Sequence, residues 1–376
     1  MKGVAPFGGG RGPFIFTVLL EERIVVDLLT RELEAMVRNE APAMEQKGEI
    51  SPKVLEAIYK RGLFKLLVPR ELGGHMLPLP EALRVFEGAS RIDGSFGWLV
   101  TIGSGGGYFA ASMEPEVCRE LFSPREAVIA GSGYPAGEAR RVNGGFRVSG
   151  RWKYISGCDY ASIFTVNCVI RDEGGDGRIR SFILMPEQVK ILRDWRAFGL
   201  KATGSHSIVV EEAFVPERMT FDIAEPYPVY EDPLFRYPFL PFALTSFAAV
   251  ALGVAARFLE EARNLLEARR EVWPSPRVEA GLQAVSRAAE RLQGVASAFY
   301  RTVDDTWAIH KNRPLTEEET ASVNRRSRET AQEALRLADA VFPHLGMAGI
   351  MEGEPANRAW RDLHTVCRHV LLSDWG

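Results

Sequence analysis

The stretch RVSGRWKYISGCDYA, Arg147 to Ala161, follows an Asn143-Gly144 pair. Asn-Gly flanked by alternating apolar residues predicts a tight β-hairpin, because both central positions of such a turn favour residues that tolerate positive φ. Val142 precedes the pair, and Phe146 and Val148 alternate after it. The segment therefore enters as a strand and runs into a second turn at Ser156-Gly157. Trp152, shortly before that turn, has two readings: a half-buried strand aromatic, or a platform for a flat aromatic cofactor. The hairpin sets the centre of the chain as β; the rest of the sequence must decide the tryptophan.

At 376 residues the chain is long enough for two or three domains and a sizeable core. Apolar residues make up 46%, charged residues 25%, and the net charge is -3, so neither a nucleic-acid surface nor an acidic tail is expected. A small-molecule or protein partner fits better. The four cysteines, Cys118, Cys158, Cys168 and Cys367, form no CxxC pair and no cluster with histidine, so no metal site is expected and a reducing cytoplasm is. The apolar run Phe14 to Leu20, followed at once by Glu21 and Glu22, reads as the start of a first helix after a Gly-rich lead-in, Met1 to Pro13. Gly94 to Met113 and Tyr237 to Ala256 lack charge over lengths that would span a bilayer. Their glycines and prolines suit close packing inside a soluble helical protein instead, and no membrane span is expected.

Periodicity divides the chain in three: an N-terminal helical domain over 14–125, a β domain over 126–220 and a C-terminal helical domain over 236–376. Ser51-Pro52 is a cap and first-turn pair. Short β-rich runs follow at Ile163 to Ile170, Ile179 to Met185 and Ser207 to Val215. Phe247, Val250, Ala251, Val254, Phe258, Ala262 and Leu265 form one helical stripe, and Leu282, Val285, Leu292, Val295, Phe299 and Val303 another. Thr316 and Glu319 form a capping box before a third long helix through Val341. A last helix is expected from about Asn357 to Leu372. Apolar faces on such a bundle point to oligomerisation.

Several stretches stand in one order within this frame: Pro69-Arg-Glu-Leu-Gly-Gly74, Gly131-Ser-Gly-Tyr-Pro-Ala-Gly137, Arg147 to Ala161, Gly199-Leu-Lys-Ala-Thr-Gly-Ser205 with Ile208 to Pro216, Leu345 to Glu352 and Arg358-Ala-Trp-Arg-Asp362. Together they resemble the acyl-CoA dehydrogenase family over roughly residues 50 to 370. The resemblance implies a multidomain α and β fold: an N-terminal α-helical domain, a middle β-barrel-like domain and a C-terminal four-helix bundle.

Dehydrogenases of that family need a carboxylate base to remove a proton alpha to a thioester carbonyl. Counted along the resemblance, the glutamate position falls at Val370, just after His369, and the alternative position on the bundle helix falls near Ala243. No acid lies between Tyr237 and Ala256 or between Leu363 and Leu372. The departures resemble the two-component flavin-dependent monooxygenases of the same fold, the p-hydroxyphenylacetate, steroid-phenol and dibenzothiophene oxygenases. That resemblance implies an oxygenase component that takes reduced flavin from a separate NAD(P)H flavin reductase, forms a C4a-hydroperoxyflavin with O2 and oxygenates a small aromatic substrate in a dry pocket. It also implies a cytoplasmic homotetramer. Reduced FMN is preferred over FAD, because Arg270-Glu-Val-Trp-Pro-Ser275 departs from the family's adenine-contacting segment.

By the same resemblance Ser156 would bond near flavin N5 and C4a, and His369 would sit by the oxygen adduct or the substrate hydroxyl. Trp152, Ser132, Gly133, Thr203 and Ser205 would contact the flavin. Trp98, Gly106 and Tyr108 would line the substrate pocket. An imidazole could independently deprotonate a phenol or polarise a peroxide, and His364 competes with His369 for that role. Gly105 to Ala110 matches G-x-G-x-x-A, but without a βαβ unit these are packing or pocket glycines. Two other readings stay open: an acyl-CoA dehydrogenase-like FAD enzyme with a displaced base, and a non-catalytic interaction protein.

Overall fold

The Asn143-Gly144 turn closes the hairpin as expected: β1 (Ile129–Val142) and β2 (Gly145–Ile155) pair antiparallel from Val142 opposite Gly145 to Gly137 opposite Gly150. Gly144 takes φ 80°, the left-handed conformation such a turn needs. This is a computed structural model, and it describes residues 25, 27–171 and 177–373, so the lead-in and the run Phe14 to Leu20 lie outside the described residues. Five further strands join the hairpin: β3 (Ile163–Ile170), β4 (Ile179–Leu184), β5 (Lys190–Leu192), β6 (His206–Pro216) and β7 (Thr220–Phe221). Their order is β5-β6-β2-β1-β3-β4-β7, with β3 parallel to β1 and the other pairings antiparallel. The sheet curls on itself, since Phe146 of β2 and Phe182 of β4 meet ring to ring at 5.2 Å although β1 and β3 lie between their strands. Trp152, Val148, Val166, Cys168, Ile208 and Val210 fill the resulting core.

Two helical regions flank this sheet. Before it come α1 (Arg31–Lys47), α2 (Pro52–Arg61), α3 (Leu79–Ile92), α4 (Gly94–Gly105) and α5 (Pro115–Phe122). Ser51 caps α2 by accepting from Val54 N–H, with Pro52 in the first turn where its missing N–H costs nothing. After the sheet come α6 (Phe239–Ala268), α7 (Ser275–His310), α8 (Glu317–Val341), α9 (Gly346–Ile350) and α10 (Pro355–Val366). The Thr316–Glu319 capping box forms in both directions at the start of α8. Every residue of the Phe247 to Leu265 stripe is buried. Helix α6 is long and apolar enough to cross a membrane, but 83% of its most apolar stretch lies inside the protein, packed on α3, α8 and α10, as in a core helix.

One expectation is corrected. The last helix does not reach Leu372: it ends at Val366, and the chain continues through turns to Ser373. The carbonyls that a longer helix would have placed along its own axis are taken by α8, where Arg328 Nε donates to Leu371 O (3.0 Å) and Gln332 Nε2 to Leu372 O (2.9 Å). His369 therefore sits in a turn, free of the helix axis.

The helical layers meet around Ser90 of α3. A β-carbon at Gly97 of α4 would overlap Ser90, and one at Gly253 of α6 would overlap Glu87 O and stand 2.8 Å from Ser90 Cβ. Gly253→Ala should therefore cost about 1–3 kcal/mol through overpacking. Gly294 on α7 is exposed with nothing within 4 Å of a β-carbon, so Gly294→Ala should gain about 0.5–1 kcal/mol of helix stability. Thermal denaturation should show the first variant below the parent and the second at or above it.

Candidate active site

Asp93 caps α4 by accepting from Phe96 N–H (3.0 Å), which sets the first turn and the direction of Trp98. The Trp98 indole reaches the end of β2, where Nε1–H donates to Ser156 Oγ (2.9 Å). The turn bearing Ser156 is tied to the loop before β6: Gly157, at φ 75°, donates its N–H to Thr203 O (2.9 Å). Three hydroxyls follow in a row. Ser156 Oγ lies 2.8 Å from Ser205 Oγ, which lies 2.6 Å from Thr203 Oγ1, which donates to Leu200 O (2.8 Å). All three hydroxyl residues are buried, with Thr203 only 1% exposed.

An indole N–H only donates, so Ser156 Oγ accepts from Trp98, while between Ser156 and Ser205 and between Ser205 and Thr203 either hydroxyl can be the donor. The Leu200 carbonyl also receives Thr203 N–H (3.2 Å) and Trp195 Nε1–H (3.0 Å).

His369 closes the other side. Its ring stands 4.4 Å from Phe247 of α6 and 5.9 Å from Trp98, while Trp98 and Phe247 stack at 5.1 Å. Burial among these rings pushes its pKa down to about 4, because an imidazolium there would lose its hydration. Its Nδ1 accepts from Leu371 N–H (3.3 Å), so the proton of the neutral ring sits on Nε2. At neutral pH the residue offers an N–H donor rather than a strong base. His364 lies elsewhere, against Trp360 (4.1 Å), with Nε2 on Asp339 Oδ1 (2.8 Å).

Among the expected site residues, Trp98, Ser156, Thr203, Ser205 and His369 converge. The others lie apart from this cluster. Trp152 is 1% exposed inside the sheet core, packed over Gly137, with Nε1 donating to Asn167 O (3.1 Å), so it has no face to offer a ligand. Ser132 and Gly133 lie where β1 breaks register with β3; Ser132 Oγ accepts from Tyr134 N–H (3.2 Å), and Gly133 has open space around it. A β-carbon at Gly106 would stand 2.7 Å from Ile129 Cβ, whereas nothing lies within 4 Å of one placed at Gly105. Tyr108 stacks on Phe242 (4.8 Å) and donates its hydroxyl to Tyr237 O (2.7 Å), an interior wall.

The sequence reasoning missed Tyr154. Strict alternation from Trp152 would bury it, but the β2–β6 register shifts between Trp152 and Ile155. Tyr154 takes φ 65° at that bulge and turns outward, 69% exposed, edge-on to Trp195 at 6.1 Å. No carboxylate enters the cluster at the two positions where a dehydrogenase base was sought: Val370 and Ala243 occupy them. Asp362, on α10, is buried and accepts from Leu200 N–H (2.6 Å); burial and Asp93 push its carboxyl up to about 7.

Two family models match the chain, "Acyl-CoA dehydrogenase, N-terminal domain" over residues 20–115 and "Acyl-CoA dehydrogenase, C-terminal domain" over residues 245–374. Indole-3-acetate monooxygenase of Pseudomonas putida is 31% identical to the chain, covering 88% of it and 86% of its own length. A flavin-dependent monooxygenase of Mycobacterium tuberculosis, oxygenase subunit HsaA, is 25% identical over 89% of the chain and 88% of its own. The structure of XiaF from a Streptomyces species, in complex with FADH2 and glycerol, superposes with a TM-score of 0.85 at 21% identity, covering 96% of the chain and 94% of XiaF.

The half-buried imidazole yields a signed prediction. The His369 ring signal in NMR, assigned by its loss in His369→Asn, should stay at its neutral position from pH 8 to well below 6 and titrate near 4. An unfolded histidine titrates near 6.5, so the stability this ring contributes is complete above about pH 6.5 and lost as pH falls towards 4.

Proposed function

Because the chain belongs to the acyl-CoA dehydrogenase family, in its branch of flavin-dependent monooxygenases, we propose that it is the oxygenase component of a two-component flavin-dependent monooxygenase. In this reading it takes reduced flavin from a separate NAD(P)H flavin reductase and uses O2 to oxygenate a small aromatic substrate. The observation that carries the reading is the buried Trp98–Ser156–Ser205–Thr203 chain beside a neutral His369, with Val370 where the resemblance puts a dehydrogenase's carboxylate.

The donor set fits a flavin. A planar ring system with polar edges needs an apolar face and a few fixed hydrogen-bonding groups. Tyr154 offers an exposed ring, Ser156 a hydroxyl held in place by Trp98, and the β1 irregularity at Ser132 and Gly133 uncrowded backbone. When bound, reduced flavin supplies the electrons that activate O2. Ser156 holds the ring edge, backed by Ser205 and Thr203. Trp98 and Phe247 exclude water and form an aromatic wall for a substrate. His369, with its proton on Nε2, would stabilise developing negative charge on oxygen as a hydrogen-bond donor. That role replaces the general base weighed from sequence, since a ring with a pKa near 4 is a poor base.

FMN is preferred over FAD: Arg270 is bound to Glu267 (2.5 and 3.1 Å) and Trp273 lies under Arg277 (3.8 Å), which leaves the segment after α6 engaged with itself. Exposed Val272, Met347, Ile350 and Met351 favour a homo-oligomer, a tetramer by the resemblance. Four buried free thiols suit a reducing cytoplasm.

The test is anaerobic titration with FMNH2 followed by mixing with O2. Oxidation kinetics clearly different from those of free FMNH2, and no reduction of bound flavin by an acyl-CoA, are expected; kinetics identical to free FMNH2 would sink the reading. With substrate and a reductase, His369→Ala should lower oxygenated product per flavin oxidised by about tenfold, the worth of roughly one hydrogen bond in a dry site.

A further inference from the structure

We infer that Gly105 of α4 and Ala243 of α6 are specificity-determining residues. They leave open the middle of an apolar slot that seats a fused two-ring aromatic substrate, with its polar group at the Ser156 and His369 end. The inference rests on the oxygenase reading above and deepens it by naming a substrate class.

The first observation is a glycine without a packing role. Glycine weakens a helix relative to alanine, so each one in a helical segment has a cost to explain. A β-carbon at Gly103 would stand 2.4 Å from Phe64, one at Gly106 2.7 Å from Ile129 and one at Gly107 2.8 Å from Leu67, so close packing explains those three. At Gly105 nothing lies within 4 Å, and the backbone is ordinary right-handed helix at φ -56° and ψ -29°. Neither contact nor conformation calls for glycine there.

The space it faces belongs to the site. From Gly94 to Tyr108 every residue is buried except Ile102 and Gly105. Both share a helix face with Trp98, being four and seven residues beyond it. Phe109, half-buried in the 3₁₀ turn Gly106–Ser112, continues the stripe. On α6, Phe239, Ala243 and Phe247 recur at four-residue spacing and form a second stripe. The two stripes meet at both ends: Trp98 stacks on Phe247 at 5.1 Å, and Phe109 lies 5.8 Å from Phe239. Between these aromatic pairs stand Ile102, Gly105 and Ala243, two of which are the smallest residues a chain can carry. Phe239 and Phe247 are separated by roughly 12 Å along the helix axis. A single ring beside Trp98 leaves much of that length uncovered, whereas two fused rings use it, and Phe109 with Phe239 closes the slot to longer systems.

The lining is apolar both in composition and in bonding. Neither Gly94 to Met113 nor Tyr237 to Ala256 contains a charged residue. The hydroxyls of Thr101, Thr245 and Ser246 donate to carbonyls of their own helices, at 2.8 Å to Gly97, 2.7 Å to Pro241 and 2.8 Å to Phe242. The two helices thus offer nothing to hold a polar substituent in the middle of the slot, and a substrate hydroxyl is directed to Ser156 and His369. The second ring adds affinity through the apolar area it buries.

Gly105→Leu and Ala243→Leu fill the slot from opposite walls. The readout is the ratio of the Kd of phenol to that of 2-naphthol, measured anaerobically by calorimetry on the full chain with FMNH2 present, together with the matching ratio of KM values for oxygenation with a reductase. The parent should bind 2-naphthol about tenfold more tightly than phenol or better. Each leucine should raise the Kd of 2-naphthol about tenfold and that of phenol less than about threefold, because the end beside Trp98 is left untouched. Gly105→Leu should also melt at or above the parent's temperature, since leucine favours helix and enters open space. A damaged fold would instead melt lower and weaken both ligands. Equal weakening of both ligands, or an unchanged ratio, would overturn the inference while leaving the flavin reading intact. A ratio that falls in a protein whose FMNH2 oxidation matches that of free flavin would support the slot and fault only the flavin reading. If one variant does not fold by circular dichroism, the other supplies the same comparison.

Discussion

The hydrogen bond from Trp98 Nε1 to Ser156 Oγ joins the N-terminal helices to the β domain, and the site exists only where these two meet. Its donor is placed by a chain of packing constraints. Asp93 starts α4, Gly97 lets α4 press on Ser90, and Gly253 lets α6 press on the other side of the same turn of α3. That close approach carries Phe247 of α6 to the face of Trp98, and Phe247 in turn seats His369. A β-carbon at either glycine would overlap α3 and push the layers apart.

The acceptor is placed by electrostatics. The loop that backs Ser156 is held by Asp362, which belongs to a buried group of charges: Glu45 of α1, Asp93, and Arg358 and Arg361 of α10. Arg361 meets Glu45 at 2.5 Å and donates to Phe198 O and Asn357 Oδ1, each at 2.6 Å. Arg358 stands 3.7 Å from both Glu45 and Asp93. Burying ions is costly unless geometry and hydrogen bonds offset the loss of water. Here Arg358, Arg361 and Lys201, the last 3.7 Å from Glu45, face three carboxyls, and burial first, then the neighbouring Asp93, raises the affinity of Asp362 for a proton. The return is specificity of position: α1, α4, α10 and the Leu200 loop are locked to one another, and the hydroxyl row inherits that rigidity.

The resemblance of the motifs around them points to Ser156, Thr203, Ser205 and His369, and the structure brings these residues together with Trp98; the three hydroxyls stand in short turns beside Gly157 and Gly204. The strand residues were harder. Trp152 and Tyr154 are both aromatic on one strand, and period-two alternation assigns them the same face. The β-bulge separates them, sending Trp152 into the core and Tyr154 to the surface, and a bulge depends on pairing with β6, far along the chain. Gly105 and Gly106 pose the same problem, since neighbouring glycines look alike until Ile129 is seen against one of them.

The order of helices, strands and helices was determined by the sequence alone, because hydrophobic period, capping residues and the Asn-Gly turn are local and act within a few residues. The sequence also places a serine just after β2 and no acid between Leu363 and Leu372. Only the tertiary structure decided what those groups can do. That Ser156 accepts a hydrogen bond depends on Trp98 from a distant helix, and whether His369 is a base or a neutral donor depends on the rings that bury it. Proton positions and pKa values belong to an environment assembled from elements far apart in the chain, so they come into being only when the chain folds.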